Sequence, residues 1–295
     1  METTAAARVR ALVDGPGVPV VAPGVWDALS ARLAAAAGFP VLFVSGFAVA
    51  AAHLGLPDIG YLTATEMAAA TREVCAAVPG VPVLADADTG HGDALSARRT
   101  ARELHAAGAA GLALEDQVWP KRCGHMPGKR VVRAEEWLGK LRAVRDLRAE
   151  GADLFLIART DARDACTLDE AVARAVAAHR LGADAVFVEA PAGVDEMRAV
   201  AEATPGAVRV ANMVEGGRTP LLSPAELHAL GHDLVLAPLT GLLAATGAVR
   251  DAYARLRDTG TPRPADGALV FSDLTTVVDL AGHRAVGARY APPDG

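Results

Sequence analysis

The stretch Glu115–His125 places several groups that can do acid–base or nucleophilic chemistry within one short segment. Its lone thiol, Cys123, follows two cations, Lys121 and Arg122, and precedes His125 by two residues. Positive charge stabilises a thiolate, so we expect these neighbours to lower the pKa of the Cys123 thiol. The same segment contains glycine and proline, which indicate an exposed loop rather than a rigid core. Cys123 is therefore the predicted proton-transfer residue, and Lys121 and His125 are predicted to assist it.

Acidic residues close two neighbouring apolar runs. Asp86 and Asp88 follow the run 81–85, and Glu115 follows the run 111–114. Carboxylate oxygens are hard ligands that suit Mg²⁺ or Mn²⁺ better than zinc, so these three acids are the predicted metal site. Asp58 lies in a loop after an earlier run, where it either joins this acidic group or is a turn residue following Pro57. Glu115 and Asp58 are also the candidates for the general base.

Polar residues also end most of the other apolar runs. The candidates for substrate binding at these positions are Ser45 and Gly46, Arg159, Glu189 and Asn212, together with Gly124 of the cysteine loop. An arginine offers a planar fork for a carboxylate, and the backbone amides and hydroxyl at Ser45–Gly46 offer further donors. Contact with water at strand ends explains one or two such residues, but not acids on three runs with an arginine among them. We therefore expect a site for a small polyanionic acid.

Eight short apolar runs alternate with longer amphipathic stretches. The runs are 18–22, 41–44, 81–85, 111–114, 154–158, 185–188, 208–211 and 234–237. Continuous apolar runs are typical of strands covered on both faces, and eight strand–helix units predict an α/β fold of the (β/α)8, or TIM, barrel type. A doubly wound open sheet is the alternative, although it normally has fewer strands. In a barrel the active site lies at the carboxyl ends of the strands, where the candidate residues fall.

The last part of the chain follows a Pro/Gly-rich link at 259–264 and contains a mixed apolar and charged segment, Phe271–Arg284, that we expect to be helical. The chain is predicted to be one barrel domain over 1–295, with residues 258–295 as a C-terminal helical extension. A helix beyond a completed barrel must bury its apolar side, and a neighbouring subunit is one surface on which it can do so.

Composition limits the class of protein. The chain has 295 residues, is 52% hydrophobic and carries a net charge of −6 with acids and bases interspersed, so we expect no nucleic-acid partner. Neither a secretory signal nor a membrane-spanning run is recognisable, so we expect no membrane partner. Three cysteines, an odd and small number, fit free thiols in a reducing compartment, and the predicted location is the cytoplasm.

The motifs taken together resemble the isocitrate lyase/phosphoenolpyruvate mutase superfamily. They are Ser45–Gly46, Gly55–Asp58, Asp86–Gly90, Glu115–Gln117, the block Lys121–His125 and Ala158–Ala162. The resemblance covers nearly the whole chain. Within the superfamily the chain is most similar to three groups: the petal death protein, the 2-methylisocitrate lyases and carboxyphosphonoenolpyruvate phosphonomutase.

The resemblance implies Mg²⁺ near Asp86, Asp88 and Glu115, with Asp58 in an outer shell. It implies that the segment from Lys121 to Lys129 is a gating loop and that Cys123 moves a proton at the enolate carbon of the leaving acid. It also implies a homotetramer, a dimer of dimers that exchange their last helix.

The expected activity is Mg²⁺-dependent carbon–carbon cleavage of a 2-hydroxy di- or tricarboxylate, of the 2-alkylmalate or 2-methylisocitrate type, by retro-aldol chemistry through an enolate. The 2-methylisocitrate lyases have a tyrosine where this chain has Phe43, a position at the substrate, which weakens that substrate assignment. Oxaloacetate hydrolysis and carboxyphosphonoenolpyruvate-type C–P bond formation are the enzymatic alternatives. A non-catalytic barrel that only binds small acids is the remaining one.

Overall fold

The computed structural model describes residues 3–15, 17–265 and 267–291. Eight parallel strands close into a barrel in chain order, from β1 beside β2 to β8 back beside β1. The strands are β1 Val20–Val25, β2 Leu42–Val44, β3 Val83–Asp86, β4 Gly111–Glu115, β5 Phe155–Thr160, β6 Ala185–Val188, β7 Val208–Asn212 and β8 Leu234–Ala237. The predicted barrel fold is confirmed, and each predicted apolar run contains or overlaps one strand.

The structure also contains α-helices, which alternate with the strands along the chain in the barrel unit. They are α1 Ala5–Val13, α2 Ala28–Ala36, α3 Gly46–Val49, α4 Ala64–Ala77, α5 Ala94–Ala106, α6 Ala134–Arg145, α7 Ala162–Ala165, α8 Leu168–Leu181, α9 Val194–Ala203, α10 Pro224–Ala229, α11 Thr240–Thr259, α12 Phe271–Val277 and α13 Leu280–Ala288. Side-chain caps begin several of them; at α4, Thr63 and Glu66 cap each other's backbone amides.

Two apolar clusters sit on opposite sides of the strands. Side chains such as Phe43, Leu84 and Phe187 point into the barrel and form the inner cluster, which Val9 and Val13 of α1 extend. The outer cluster lies between the strands and the surrounding helices. Burial on both sides explains why the strands read as continuous apolar runs rather than alternating ones.

Three helical features differ from the sequence expectation. Helix α1 was not predicted, because a nine-residue helix has a short apolar pattern. The short helices α3 and α7 follow β2 and β5 directly and were also not predicted. The segment Phe271–Arg284 is helical but is interrupted, since α12 ends at Val277 and Asp279, with φ of +53°, begins the separate helix α13.

The chain divides into two compact units, Met1–Leu242 and Leu243–Gly295. The first contains the barrel, and the second contains most of α11 with α12 and α13. Single-domain organisation with an extension from residue 258 stays a prediction, and residues 292–295 of that extension lie outside the described residues. Among the residues described, no helix is both long enough and apolar enough to cross a membrane.

Candidate active site

A cavity opens at the carboxyl ends of the barrel strands, and it gathers ten of the candidate residues on its wall. These are Phe43, Ser45, Asp58, Asp86, Cys123, Gly124, His125, Arg159, Glu189 and Asn212. They come from loops or strand ends spread over more than 160 residues of chain, and parallel strand ends bring them together. Four other candidates, Gly46, Asp88, Glu115 and Lys121, do not line this cavity and are buried.

The acids after β3 and β4 form the floor of the site. Asp86 accepts a hydrogen bond from the backbone N–H of Asp88 at 3.1 Å. Asp88 has φ of +47°, a left-handed conformation that aspartate tolerates better than most residues. A Cβ atom at Gly46 would lie only 2.9 Å from Asp86 Oδ2, so the close approach of α3 to this carboxylate requires glycine. Burial, reinforced by the charges of Asp86 and Asp58, raises the pKa of Asp88 to about 7.

Lys121 binds the acids and not the thiol. Its Nζ lies 2.8 Å from Asp88 Oδ1 and also donates to Asp58, and the side chain is only 3% exposed. Burial opposes the ammonium charge, but Asp88 and Asp58 outweigh it and raise the pKa of Lys121 well above its ordinary value. Lys121 therefore ties the cysteine loop to the acidic floor. Asp58 thus belongs to the acidic group and is more than a turn residue.

The surroundings of Cys123 favour the protonated thiol, in contrast to the thiolate that the sequence suggested. Burial raises the pKa of Cys123 from 9.0 to about 11, and the carboxylates of Asp58 and Glu189 reinforce the shift. The cations that were expected to lower it point elsewhere. Lys121 faces the acids, and the guanidinium of Arg122 donates to the carbonyl of Pro127 at 3.2 Å. A neutral thiol in a cavity suits a proton donor better than a nucleophile.

His125 joins the cysteine loop to the loop after β7. Its Nδ1 accepts the backbone N–H of Arg218 at 3.1 Å, and its Nε2 lies 3.5 Å from Glu189 Oε1. Burial lowers the pKa of His125, which favours the neutral ring over the cation that was expected to stabilise a thiolate. This corrects its predicted role in stabilising a thiolate. The neighbouring Gly124 packs directly on Glu189, because a Cβ atom there would lie 2.5 Å from the Glu189 side chain.

Arg159 is the cation at the centre of the cavity. It contacts three carboxylates: Asp161 at 3.0 Å, Glu115 at 3.2 Å and Glu189 at 3.4 Å. Its guanidinium carbon also lies 5.4 Å above the ring centre of Phe187. Asn212 donates to Glu189 at 3.1 Å. Asp161 therefore pairs with Arg159 rather than facing solvent.

Ser45 has fewer hydrogen-bond donors free for a substrate than the sequence predicted. Its backbone N–H donates to the carbonyl of Val25 at 3.1 Å, and its side-chain oxygen accepts the N–H of Ala48 as the N-cap of α3. The expectation that the backbone N–H of Ser45 holds a substrate carboxylate is therefore wrong, because that donor is already used within the barrel. The hydroxyl still lines the cavity and keeps its own hydrogen for donation.

The charges and unsatisfied oxygens of the site fit a divalent cation. The ion pairs of the site place five buried carboxylates, those of Asp58, Asp88, Glu115, Asp161 and Glu189, against the three cations Lys121, Lys129 and Arg159, and the buried carboxylate of Asp86 forms no ion pair with the described residues. Neither Glu115 oxygen accepts a hydrogen bond from the described residues, although Oε2 lies 3.2 Å from Arg159, and burial raises the pKa of Glu115 well above its ordinary value. A divalent cation would offset this excess negative charge.

Direct ligation by three protein side chains is not preformed. No set of three or more His, Cys, Asp and Glu side chains in the described part of the chain is arranged to hold a metal ion. Magnesium keeps several of its waters and is commonly bound through one or two carboxylates plus its substrate, so it does not need such a set. The residues Asp86, Asp88 and Glu115 therefore fit a largely hydrated Mg²⁺ better than zinc.

Sequence reasoning missed two parts of the site. The apolar wall consists of Phe47, Phe187, Val214, Leu236, Pro238 and Leu239. Hydrophobic side chains at strand ends give no signal that separates a cavity wall from the core. The second missed part is Lys129, whose buried ammonium contacts Asp161 at 2.8 Å. The signal was its position at the end of the cysteine loop, but its partner lies 32 residues away.

The family model of phosphoenolpyruvate phosphomutase matches residues 9–257. The chain therefore belongs to the phosphoenolpyruvate mutase/isocitrate lyase superfamily, as its motifs predicted, and it is an enzyme of that superfamily.

Three relatives show the range of activities among similar proteins. The chain is 46% identical to the chloroplastic carboxyvinyl-carboxyphosphonate phosphorylmutase of Arabidopsis thaliana, over 96% of this chain and 84% of the relative. It is 44% identical to the 2,3-dimethylmalate lyase of Eubacterium barkeri, over 97% and 98% of the two chains. It is 48% identical to the petal death protein of Dianthus caryophyllus, over 88% and 82%. A lyase and a mutase are thus both similar to this chain.

Solved structures share the whole fold. Oxaloacetate acetylhydrolase in complex with 3,3-difluorooxalacetate matches with a TM-score of 0.93 and 33% identity, over 99% of each chain. A phosphonopyruvate hydrolase in complex with oxalate and Mg²⁺ matches with a TM-score of 0.85 and 32% identity, over 97% of this chain and 99% of the other. Superfamily relatives therefore bind small carboxylates, and one of them does so with Mg²⁺.

Proposed function

We propose that this protein is a Mg²⁺-dependent carbon–carbon lyase that cleaves a 2-hydroxy dicarboxylate of the 2-alkylmalate type. The observation that carries the proposal is that one cavity is lined by both the Cys123 thiol, whose pKa burial raises, and the guanidinium of Arg159. A carbanion released by cleavage needs a proton donor beside it, and a neutral thiol provides one. A module that only binds acids needs no such donor.

The lining of the cavity favours an alkyl-substituted acid. It includes Arg159, Asn212 and Ser45, which can hold carboxylates, and the apolar wall residues Phe47, Val214, Pro238 and Leu239, whose side chains form no hydrogen bonds. A methyl group placed against this apolar wall is removed from water, which contributes about 0.8 kcal/mol per CH₂. This contrast supports a 2-alkylmalate such as 2,3-dimethylmalate over the unbranched oxaloacetate.

In the proposed reaction, substrate binding, proton removal and proton donation are carried out by different residues. Arg159 binds and orients a substrate carboxylate, and Asp58, the candidate base that lines the cavity, takes the proton of the 2-hydroxyl group. The bond between C2 and C3 then breaks, its electron pair moves to the leaving acid as an enolate, and the Cys123 thiol gives its proton to that carbon. A divalent cation near Asp86, Asp88 and Glu115 would supply the polarisation of the hydroxy acid and the stabilisation of the developing negative charge.

Product analysis with a panel of acids tests the proposal. The enzyme is incubated with Mg²⁺ and 2,3-dimethylmalate, 2-methylisocitrate or oxaloacetate, and pyruvate, succinate, propionate, oxalate and acetate are measured. We expect pyruvate and propionate from 2,3-dimethylmalate, with one solvent deuterium in propionate when the reaction is run in D₂O. Release of oxalate and acetate from oxaloacetate, with no cleavage of either hydroxy acid, would instead establish a hydrolase.

A phosphonate activity has its own support, namely the 46% identity to a carboxyvinyl-carboxyphosphonate phosphorylmutase. Phosphorus NMR of a reaction with a carboxyphosphonoenolpyruvate-type substrate distinguishes it. A new C–P resonance, together with no release of pyruvate from any hydroxy acid, would replace the lyase proposal.

The assembly proposed is a homotetramer of helix-exchanging dimers. The C-terminal unit exposes large apolar side chains, among them Tyr253, Phe271 and Leu274, with Phe271 82% exposed. A surface that exposes several large apolar side chains marks a site of contact with another protein chain. Light scattering after gel filtration tests the proposal, and Phe271→Asp is expected to shift the mass to a smaller species. A wild-type monomer would refute it.

The proposed compartment is the cytoplasm. Cys75, Cys123 and Cys166 are all free thiols, which suits a reducing environment. Immunolocalisation or cell fractionation tests this assignment.

A further inference from the structure

The end of the cysteine loop carries a lysine, Lys129, whose side chain is fully buried. We call residues 119–130 the thiol loop. The Lys129 side chain has 0% exposure, and its Nζ donates to the carbonyl of Gly124 at 2.5 Å and to Asp161 Oδ1 at 2.8 Å. Burying an ammonium is costly unless it is paired and hydrogen-bonded. Lys129 meets that requirement through Gly124 and Asp161, in the conformation in which Cys123 and Gly124 of the thiol loop line the cavity.

The partner of Lys129 is a rigid part of the barrel. The backbone N–H of Asp161 donates to Asp116 Oδ1 at 2.8 Å, and Asp116 in turn accepts hydrogen bonds from Thr160 at 2.5 Å and from Arg174 at 3.0 Å. The other oxygen of Asp161 accepts from Arg159 Nε at 3.0 Å. Asp161 is therefore shared between the loop lysine and the arginine proposed to bind the substrate carboxylate.

The other partner of Lys129 adjoins the reactive group. The carbonyl of Gly124 follows Cys123 directly in the chain, and the backbone N–H of Cys123 donates to the carbonyl of Asp58 at 3.1 Å. A hydrogen bond to the Gly124 carbonyl thus restrains the peptide that carries the thiol. Lys121 also ties the loop down, but it pairs with Asp58 and with Asp88 of the predicted metal site, whereas Lys129 hydrogen-bonds to Gly124 and Asp161 and lies 4.0 Å from Asp164.

We propose that Lys129 is a positioning residue, a latch that holds the thiol loop closed over the substrate and couples closure to Arg159 through Asp161. The ion pair would break when the loop opens and re-form when it closes. As a role in positioning Cys123, the proposal rests on the proposed lyase function. Its test uses no turnover, so the latch and the lyase assignment can fail separately.

The test measures how accessible the Cys123 thiol is. In a protein carrying Cys75→Ala and Cys166→Ala, Cys123 is the remaining cysteine, and its alkylation by N-ethylmaleimide is followed by mass spectrometry with and without oxalate plus Mg²⁺. We expect Lys129→Met to accelerate alkylation without ligand about tenfold or more, because a buried pair that loses one partner is strongly weakened. We also expect oxalate to protect the thiol less in this variant, and Lys129→Arg to restore part of the slow rate.

A matched control removes a neighbouring cation that does not touch the loop. Arg163 lies on α7 and pairs with Glu196 at 2.7 Å, so Arg163→Met should leave both the alkylation rate and the oxalate protection at the parental values. If Lys129→Met does not give the parental circular dichroism spectrum, Lys129→Gln is measured in its place. Alkylation at the parental rate in the folded variant, with or without oxalate, would overturn the latch. A faster rate in Arg163→Met of the same size would also overturn it.

Discussion

The protonation state of Cys123 can be measured directly. Its pKa of about 11 lies two units above the ordinary value of 9.0, which corresponds to an extra cost of about 3 kcal/mol for forming the thiolate in the folded protein. At pH 8 an ordinary thiol is about 9% ionised, whereas a thiol with a pKa of about 11 is about 0.1% ionised. Since only the thiolate reacts, alkylation should be about 100-fold slower than for an unhindered thiol.

The assay is a pH profile of iodoacetamide alkylation in the Cys75→Ala, Cys166→Ala protein, with glutathione as the unhindered thiol. The rate should rise tenfold per pH unit up to about pH 10, and unfolding in urea should restore the rate of an ordinary thiol. Glu189→Gln should shift the profile to lower pH, because the Glu189 charge contributes to the raised pKa of the thiol.

The pH profile separates ionisation from access. Steric shielding alone would slow alkylation by the same factor at every pH and leave the midpoint near 9. A midpoint at or below pH 9 would refute the conclusion that burial and the Asp58 and Glu189 carboxylates keep Cys123 protonated. The same result would favour the thiolate that flanking lysine and arginine suggested.

Three further predictions concern the proposed chemistry. Cys123→Ser should reduce turnover by about 100- to 10,000-fold with an unchanged melting temperature, because the site loses its proton donor; near-normal turnover would contradict that role. Arg159→Lys should raise KM by about 10- to 100-fold, the loss expected when a charged hydrogen-bonding fork is removed, as measured by steady-state kinetics. Dialysis against EDTA should abolish activity while circular dichroism stays constant, and Mg²⁺ or Mn²⁺ should restore it; activity that survives EDTA would exclude the metal.

The barrel itself was predictable from the sequence. Each of the eight strands is buried on both faces, so each reads as a short apolar run, and the alternation with amphipathic helices leaves few other topologies. The polar residues that end these runs were predictable as a site for the same reason, since parallel strands present their carboxyl ends at one side. Asp86, Cys123, Arg159 and Asn212 accordingly line one cavity.

Only the tertiary structure determines which charged side chains of the site form ion pairs with each other. Local sequence placed Lys121 beside Cys123 and suggested a thiolate, but the folded loop directs Lys121 to Asp58 and Asp88 and leaves the thiol among carboxylates. Coulombic energy depends on distance in space and on exposure to water, and neither can be read from sequence separation. The sequence motifs therefore determined which side chains meet at the carboxyl ends of the barrel strands. The packing of these side chains determined which of them favour the protonated form.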